Sequence, residues 1–500
     1  MRSKKVLYNI FSNLILQAII IIYGFVVPKI IIVNYGSNVN GLVSSITQFL
    51  AYITLLESGF APVVKALLYK PIADKNKKEI QNILKSAEKF FRNIAKIFIL
   101  YIIVLAIVYP LIINREFDYL YTISLIIIIS LSTFAEYYFG LTYRLYLQAE
   151  QKTYIISIIQ IIGYILSITS IIILVKLNAP IHIIKLISGL IFILRPLLQN
   201  YYVKKKYKIN LHDADNDYKI KNKWDGLAQH IAAVIHGNTD ITLITIFSTL
   251  SEVSVYSIYS MVVLGVKKIV YIFTSGIEES FGDMIARKEN ENLNKKFGIY
   301  ETIFLIIATI IFTSTMMLIV PFISVYTKSI TDANYIRWIF GYLLVISEYV
   351  CVIRNPYISV TYAAGHFKET RIGAWVECLS NIIISIVLIF KFGIIGVAIG
   401  TIVAMTIRTC EFVYHANKYV LNRSIWISAK KIIFVILETI IIIFICNHLT
   451  YLDNINYLNW IINAIMVTVV SSIVTLSISY IFYNNEIKEL FMILKKLVRR

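Results

Sequence analysis

Long apolar runs separated by short polar breaks recur from one end of the chain to the other. Runs of about 20 apolar residues match the length a helix needs to cross a hydrocarbon layer about 30 Å thick. The runs predict helices over about 8–33, 39–68, 91–113, 119–141, 153–175 and 181–200, then 226–248, 254–276, 300–325, 335–357, 373–390, 394–415, 431–446 and 457–483. The longest polar stretch, 201–225, separates the sixth helix from the seventh and carries Lys204, Lys205, Lys206, Lys208, Lys219, Lys221 and Lys223. Residues 70–92 combine basic side chains with an apolar stripe at Ile80, Ile83, Leu84, Ala87 and Phe91, and 284–297 mirrors them in the second half. Steps of three and four predict helices lying along the cytoplasmic surface. The tail 486–500 puts Ile487, Leu490, Phe491, Leu494, Leu497 and Val498 on one face and Lys488, Lys495, Lys496, Arg499 and Arg500 elsewhere, the pattern of an anchor on anionic lipid headgroups.

The placement of charge tests this map. With the N-terminus inside, cytoplasmic segments hold roughly 34 Lys and Arg, against about four outside (Arg115, Lys176, Lys328 and Lys391), as the positive-inside rule requires. A wrong helix count would scramble the asymmetry from some point onward. The expected fold is therefore an all-α polytopic membrane protein of 14 transmembrane helices with both termini cytoplasmic. Two pseudo-symmetric six-helix bundles, 1–200 and 226–420, flank the basic linker 201–225, and an extra helix pair at 421–483 and the tail 484–500 follow.

Composition agrees. Of 500 residues, 58% are hydrophobic and 15% charged, with mean hydropathy +0.73, whereas soluble domains carry roughly 25% charge. A β-barrel would show short alternating segments instead. The net charge of +19 serves topology and anionic headgroups, and nucleic acid is not an expected partner. Cys351, Cys378, Cys410 and Cys446 fall inside expected spans without metal-ligand or CxxC spacing. The basic MRSKK start leads into an apolar run too long for a signal peptide, so an uncleaved first helix is expected. Phosphate-loop, dinucleotide, zinc-protease and nucleophile-elbow motifs are absent in any usable context, and the external loops are short. The chain is not expected to be an enzyme or to need a cofactor.

The halves correspond: Ser58-Gly59-Phe60 and Ser275-Gly276-Ile277 occupy comparable places below their second helices. Such repeats point to a transporter with its path at the repeat interface. Gly36, Gly41-Leu42 and Ser58-Gly59-Phe60-Ala61 resemble the N-terminal pattern of the bacterial polysaccharide (O-antigen and capsule-type) flippases. So do Phe392-Gly393-Ile394-Ile395-Gly396-Val397-Ala398-Ile399-Gly400 and, after them, His415-Ala416-Asn417-Lys418-Tyr419. These belong to the multidrug/oligosaccharidyl-lipid/polysaccharide exporter superfamily. The resemblance implies two bundles around a cavity that moves undecaprenyl-diphosphate-linked oligosaccharide outward across the bacterial plasma membrane. The final helix pair is similar to an arrangement in the lipid II branch, where it helps form a groove for the lipid tail.

Such a substrate needs cations for its diphosphate and polar or aromatic groups for its sugars. Charge at a helix centre costs at least about 2.5–3.5 kcal/mol, so each intramembrane charge is a candidate. These are Lys267 and Lys268, Glu57, Asp240, Glu348, Arg354 and Lys29. Lys267 and Lys268 project about 100° apart; either could meet a diphosphate, or bridge to Glu57, Asp240 or Glu348. His236 and Asp240, four apart, share a face and could couple to H+ or Na+, or form a structural hydrogen bond. Lys29 lines a cavity mouth or snorkels, and Arg354 reaches phosphate or snorkels. Arg408 and Arg144 have the same two readings as Arg354, and Glu136, Glu377, Glu411 and Glu438 pair with these arginines or face water and receive no role. The leading expectation is a flippase driven by an ion gradient or membrane potential, with the polysaccharide assembly machinery as a further partner. The alternatives are a cation-coupled multidrug antiporter of the same superfamily and an integral membrane polysaccharide polymerase or glycosyltransferase.

Overall fold

The computed structural model describes residues 2–57, 59–113, 116–211, 214–215, 218, 220, 227–274, 277–449, 456–489 and 492. Ser58, Arg115, Lys219, Lys221, Lys223, Ser275, Gly276 and the tail positions Leu490, Phe491, Leu494, Leu497 and Val498 lie outside them, as do Lys495, Lys496, Arg499 and Arg500. The described residues form helices and connections without a strand, in two compact units, Met1–Ser254 and Val255–Arg500.

The first unit holds α1 (Arg2–Tyr35), α2 (Ser37–Ala51), α3 (Phe60–Ala73), α4 (Lys77–Ile113), α5 (Tyr119–Ala135), α6 (Leu141–Ala149), α7 (Thr153–Lys176), α8 (Ile181–Tyr207) and α9 (Leu227–Phe247). A tight turn, Tyr52–Leu56, continues α2, and the chain then breaks at Gly59, whose φ of 74° lies in the left-handed region. The boundary between units falls inside α10 (Leu250–Tyr271). The second unit continues with α11 (Ile277–Ala286), α12 (Asn290–Tyr326), α13 (Trp338–Ile353), α14 (Asn355–Ala363), α15 (Arg371–Phe392), α16 (Ile394–His415), α17 (Ile425–Leu449) and α18 (Tyr457–Phe482).

The repeat is visible in the helix starts. α10, α12 and α16 each begin 213 residues after α2, α4 and α8: Leu250 after Ser37, Asn290 after Lys77, Ile394 after Ile181. α4 and α12 are both 37 residues long. In each half the second helix ends in a tight turn before a shorter helix, α3 or α11.

Thirteen helical stretches among the described residues are long and apolar enough to cross a membrane, against the 14 expected. The expected seventh is α9, where His230, His236, Asn238 and Asp240 dilute the apolar run. Its polar side packs on α2: Ser45 and Thr245 hydroxyls lie 2.7 Å apart, and Tyr52 and Thr242 hydroxyls 3.0 Å apart.

The expected surface helices are corrected. Residues 77–92 are the first turns of the continuous α4, and Ile80, Ile83, Leu84, Ala87 and Phe91 are buried against α3 and α6, not lipid. The stripe at 284–297 also faces protein: Phe281, Met284, Leu293 and Phe297 pack with Tyr357, Val360 and Phe412. An apolar stripe reads the same in sequence whether it meets lipid or helix. The linker's described residues dock as well, with Gln81 donating to the Asn210 carbonyl at 2.8 Å and Ile209, Leu211 and Ile220 buried.

The C-terminal pair shows how helices associate in lipid. On α18, Val467, Ser471, Thr475 and Ser479 form the buried face, while Ile461, Ile465, Val469 and Ile473 are exposed. Small residues let the helices approach closely, and lipid covers the large apolar side chains as well as protein would. Ser314 and Ser471 hydroxyls lie 3.3 Å apart across the α12–α18 interface.

Candidate functional site

In the second unit, α10 carries Lys267 and α13 carries Glu348 and Cys351. Pro356, which has no amide proton for the Val352 carbonyl, marks the α13–α14 break and leaves Arg354 at the bend. Lys267 Nζ lies 2.6 Å from Glu348 Oε2 and 3.2 Å from Cys351 Sγ. Arg354 Nη2 lies 3.5 Å from the same sulfur, and its Nη1 donates to Glu377 Oε1 at 2.6 Å. The other Glu377 oxygen lies 3.5 Å from Arg408 Nε, while Arg408 Nη1 donates to Glu411 Oε2 at 2.5 Å and to the Thr370 carbonyl at 2.7 Å.

These contacts make one line, Glu348–Lys267–Cys351–Arg354–Glu377–Arg408–Glu411, across α10, α13, α15 and α16. Three cations face three carboxylates, so the line is neutral as a whole. Neutrality is what low dielectric demands, because breaking a buried pair leaves a charge uncompensated. The guanidinium of Arg408 also lies 4.3 Å above the Phe412 ring, and Lys267 sits over Tyr271 at 5.8 Å. A phosphate oxygen could replace any of these carboxylate oxygens as acceptor, since Arg and Lys serve both alike.

The structure brings together Lys267, Glu348 and Arg354 from the sequence candidates. Lys268 is exposed on the adjacent face of α10. The remaining candidates belong to the first unit. Lys29 is half-buried one residue after Pro28 on α1. Glu57 lies at the break before α3 and accepts from the Tyr137 hydroxyl at 3.4 Å. Asp240 is buried on α9, and His236 is helical one turn earlier, its side chain outside what the structure describes.

Sequence reasoning missed a second polar centre. Glu301 on α12 is fully buried and accepts from Lys431 Nζ at 2.8 Å, Arg423 Nη2 at 3.1 Å, the Ser428 hydroxyl at 2.5 Å and the Tyr357 hydroxyl at 2.8 Å. Arg423 also donates from Nε to Asn417 Oδ1 at 2.6 Å. One carboxylate thus ties α14, the turn after α16 and α17 to α12. Glu301 and Lys431 fall near helix ends, where charge is ordinary, and 130 residues separate them; only Lys431 facing the same side of α17 as Val435 and Glu438 hints at an inward role.

The described residues run through two similar helix sets and end in the pair α17–α18, a fold shared with solved flippase and transporter structures. Among solved structures, the chain is similar to the lipid II flippase MurJ in its inward closed conformation, with TM-score 0.69 and 16% identity over 96% of this chain and 100% of that one. It is also similar to an inward-facing multidrug resistance MATE family transporter, with TM-score 0.63 and 12% identity over 81% of this chain and 94% of the other. The eukaryotic MATE transporter AtDTX14 aligns with TM-score 0.53 and 14% identity, covering 87% and 98%. No protein-family model matches the sequence, and no curated protein matches it. The fold shared with these structures is the all-helical one that the resemblance at Gly36, Gly41, Gly59 and the 392–400 glycines implies.

Proposed function

We propose that the chain is a flippase that carries undecaprenyl-diphosphate-linked oligosaccharide from the inner to the outer leaflet of the bacterial plasma membrane. The observation that carries this reading is the extent of the fold match. The lipid II flippase aligns with 96% of the chain, leaving 20 residues of 500 unmatched, fewer than the 58 residues from Ile425 to Phe482 that include α17 and α18. The helix pair is therefore largely shared with a protein that moves a lipid-linked substrate. The multidrug transporter aligns with 81%, leaving 95 residues unmatched.

The mechanism follows from chemistry. Lys267 and Arg354 exchange Glu348 and Glu377 for diphosphate oxygens on binding, and the carboxylates take the cations back on release. Glu348 and Glu377 lose these cations while substrate is bound, so each must meet water or a proton in the open cavity until it recaptures its partner on release. Rocking of residues 1–200 against 226–420 supplies alternating access, and Asp240 with His236 is the proposed H+ or Na+ site. Proteoliposomes loaded with a labelled diphosphate-linked oligosaccharide, assayed beside a cationic dye, separate this reading from the antiporter. Movement of the lipid-linked glycan without dye transport supports it, and dye transport alone rejects it.

A further inference from the structure

We propose that the cavity at the α16–α17 junction binds the phosphate headgroup of an anionic membrane lipid. The cavity measures about 770 Å³ and is lined by Lys418, Asn422, Arg423, Ser424 and Trp426 among others, with no acidic residue in its lining among the described residues. A headgroup phosphate fits that volume with room to spare, within the ordinary range for ligand clefts.

The local charge balance is positive. Glu301 is shared by Arg423 and Lys431, so this pair already carries one excess cation. Lys418 adds another: its Nζ donates to the Tyr414 hydroxyl and lies over the Tyr414 and Tyr419 rings at 4.9 and 5.4 Å, contacts that leave its charge uncompensated. Arg423 uses Nε and Nη2 in the buried network, while its Nη1 has no hydrogen bond among the described residues. α17 starts at the same cavity, and the first amides of a helix have no acceptor within it. The Lys418 ammonium, the Arg423 Nη1 group and the amides of Ile425 and Trp426, ahead of the Ile427 amide that donates to the Ser424 carbonyl, together suit a phosphate anion.

The surroundings select a lipid over soluble phosphate. Trp426 is 68% exposed, and Tyr419, Tyr414 and Ile427 are exposed beside it. Indole and phenol rings at a span end sit at headgroup level, with acyl chains covering their apolar parts. Basic pockets between helices at that depth take acidic lipid headgroups. Because Arg423 joins the cavity to Glu301, an occupied site also braces α17 against α12.

The test is a fluorescence titration of the full chain in detergent with dihexanoyl phosphatidylglycerol, dihexanoyl phosphatidylcholine or inorganic phosphate. Phosphatidylglycerol should give a saturable change that Trp426→Phe removes, and the other two probes should give none. Lys418→Gln and Ala429→Glu lie outside the Glu301 network, and each should weaken binding about five-fold or more with an unchanged unfolding midpoint. Equal saturation by phosphatidylcholine or inorganic phosphate overturns the proposal, as does undiminished phosphatidylglycerol affinity in both variants.

Discussion

Lys267 and Glu348, on α10 and α13, meet with 2.6 Å between nitrogen and oxygen in the spanning part of the second unit. They lie 81 residues apart in sequence, and their side chains are mostly buried. Removing one partner strands the other, whereas removing both restores neutrality. Lys267→Ala should therefore cost up to about 3–5 kcal/mol, and Lys267→Ala/Glu348→Ala should recover most of it. Thermal unfolding in detergent checks this; a double variant no more stable than the single one would show the pair to be uncoupled.

Glu301 should matter more to stability. It is the shared acceptor for Arg423 and Lys431, so Glu301→Gln leaves two buried or half-buried cations without their carboxylate. The expected outcome is loss of folded protein on size-exclusion chromatography, or a loss of at least about 3 kcal/mol. Lys431→Met should be milder, because Arg423 still neutralises Glu301.

How much of this was legible in the sequence depends on what set each feature. Bilayer thickness sets helix length, so the apolar runs located nearly every helix, and the glycines marked real constraints. A Cβ on Gly41 would lie 1.8 Å from the Leu250 carbonyl oxygen, so α2 meets the chain at 250 only through a bare backbone. Partner choice was hidden. Both faces of a lipid-embedded helix are apolar, and although an arginine partner for Glu377 is among the sequence readings, nothing in the sequence shows that its two oxygens serve Arg354 and Arg408 from different helices. The stripe at Ile80–Phe91 was misassigned for the same reason, since lipid and α3 select the same residues.

The glycine argument gives its own comparison. Gly41→Ala should lower the unfolding midpoint sharply or abolish expression, because the obstructing atoms are backbone. Gly265→Ala, where nothing lies within 4 Å of the added methyl, should be neutral or slightly stabilising.

Sidedness is open to a direct check. Single cysteines replacing Lys288, between α11 and α12, and Ile330, between α12 and α13, sit at opposite ends of α12. With cytoplasmic termini, an impermeant maleimide should label Ile330→Cys in intact cells and Lys288→Cys only after lysis. The reverse pattern would invert the map.

The flippase reading is tested most directly by vesicle flipping of a labelled undecaprenyl-diphosphate oligosaccharide by wild type and Lys267→Ala/Glu348→Ala. The double variant separates folding from function, since it is expected to fold yet lacks one phosphate cation. Wild type should flip the lipid, and the double variant should flip it about 10–100-fold more slowly, the cost of one charge-assisted contact. Wild-type vesicles that leave every diphosphate-linked glycan in its starting leaflet would contradict the account.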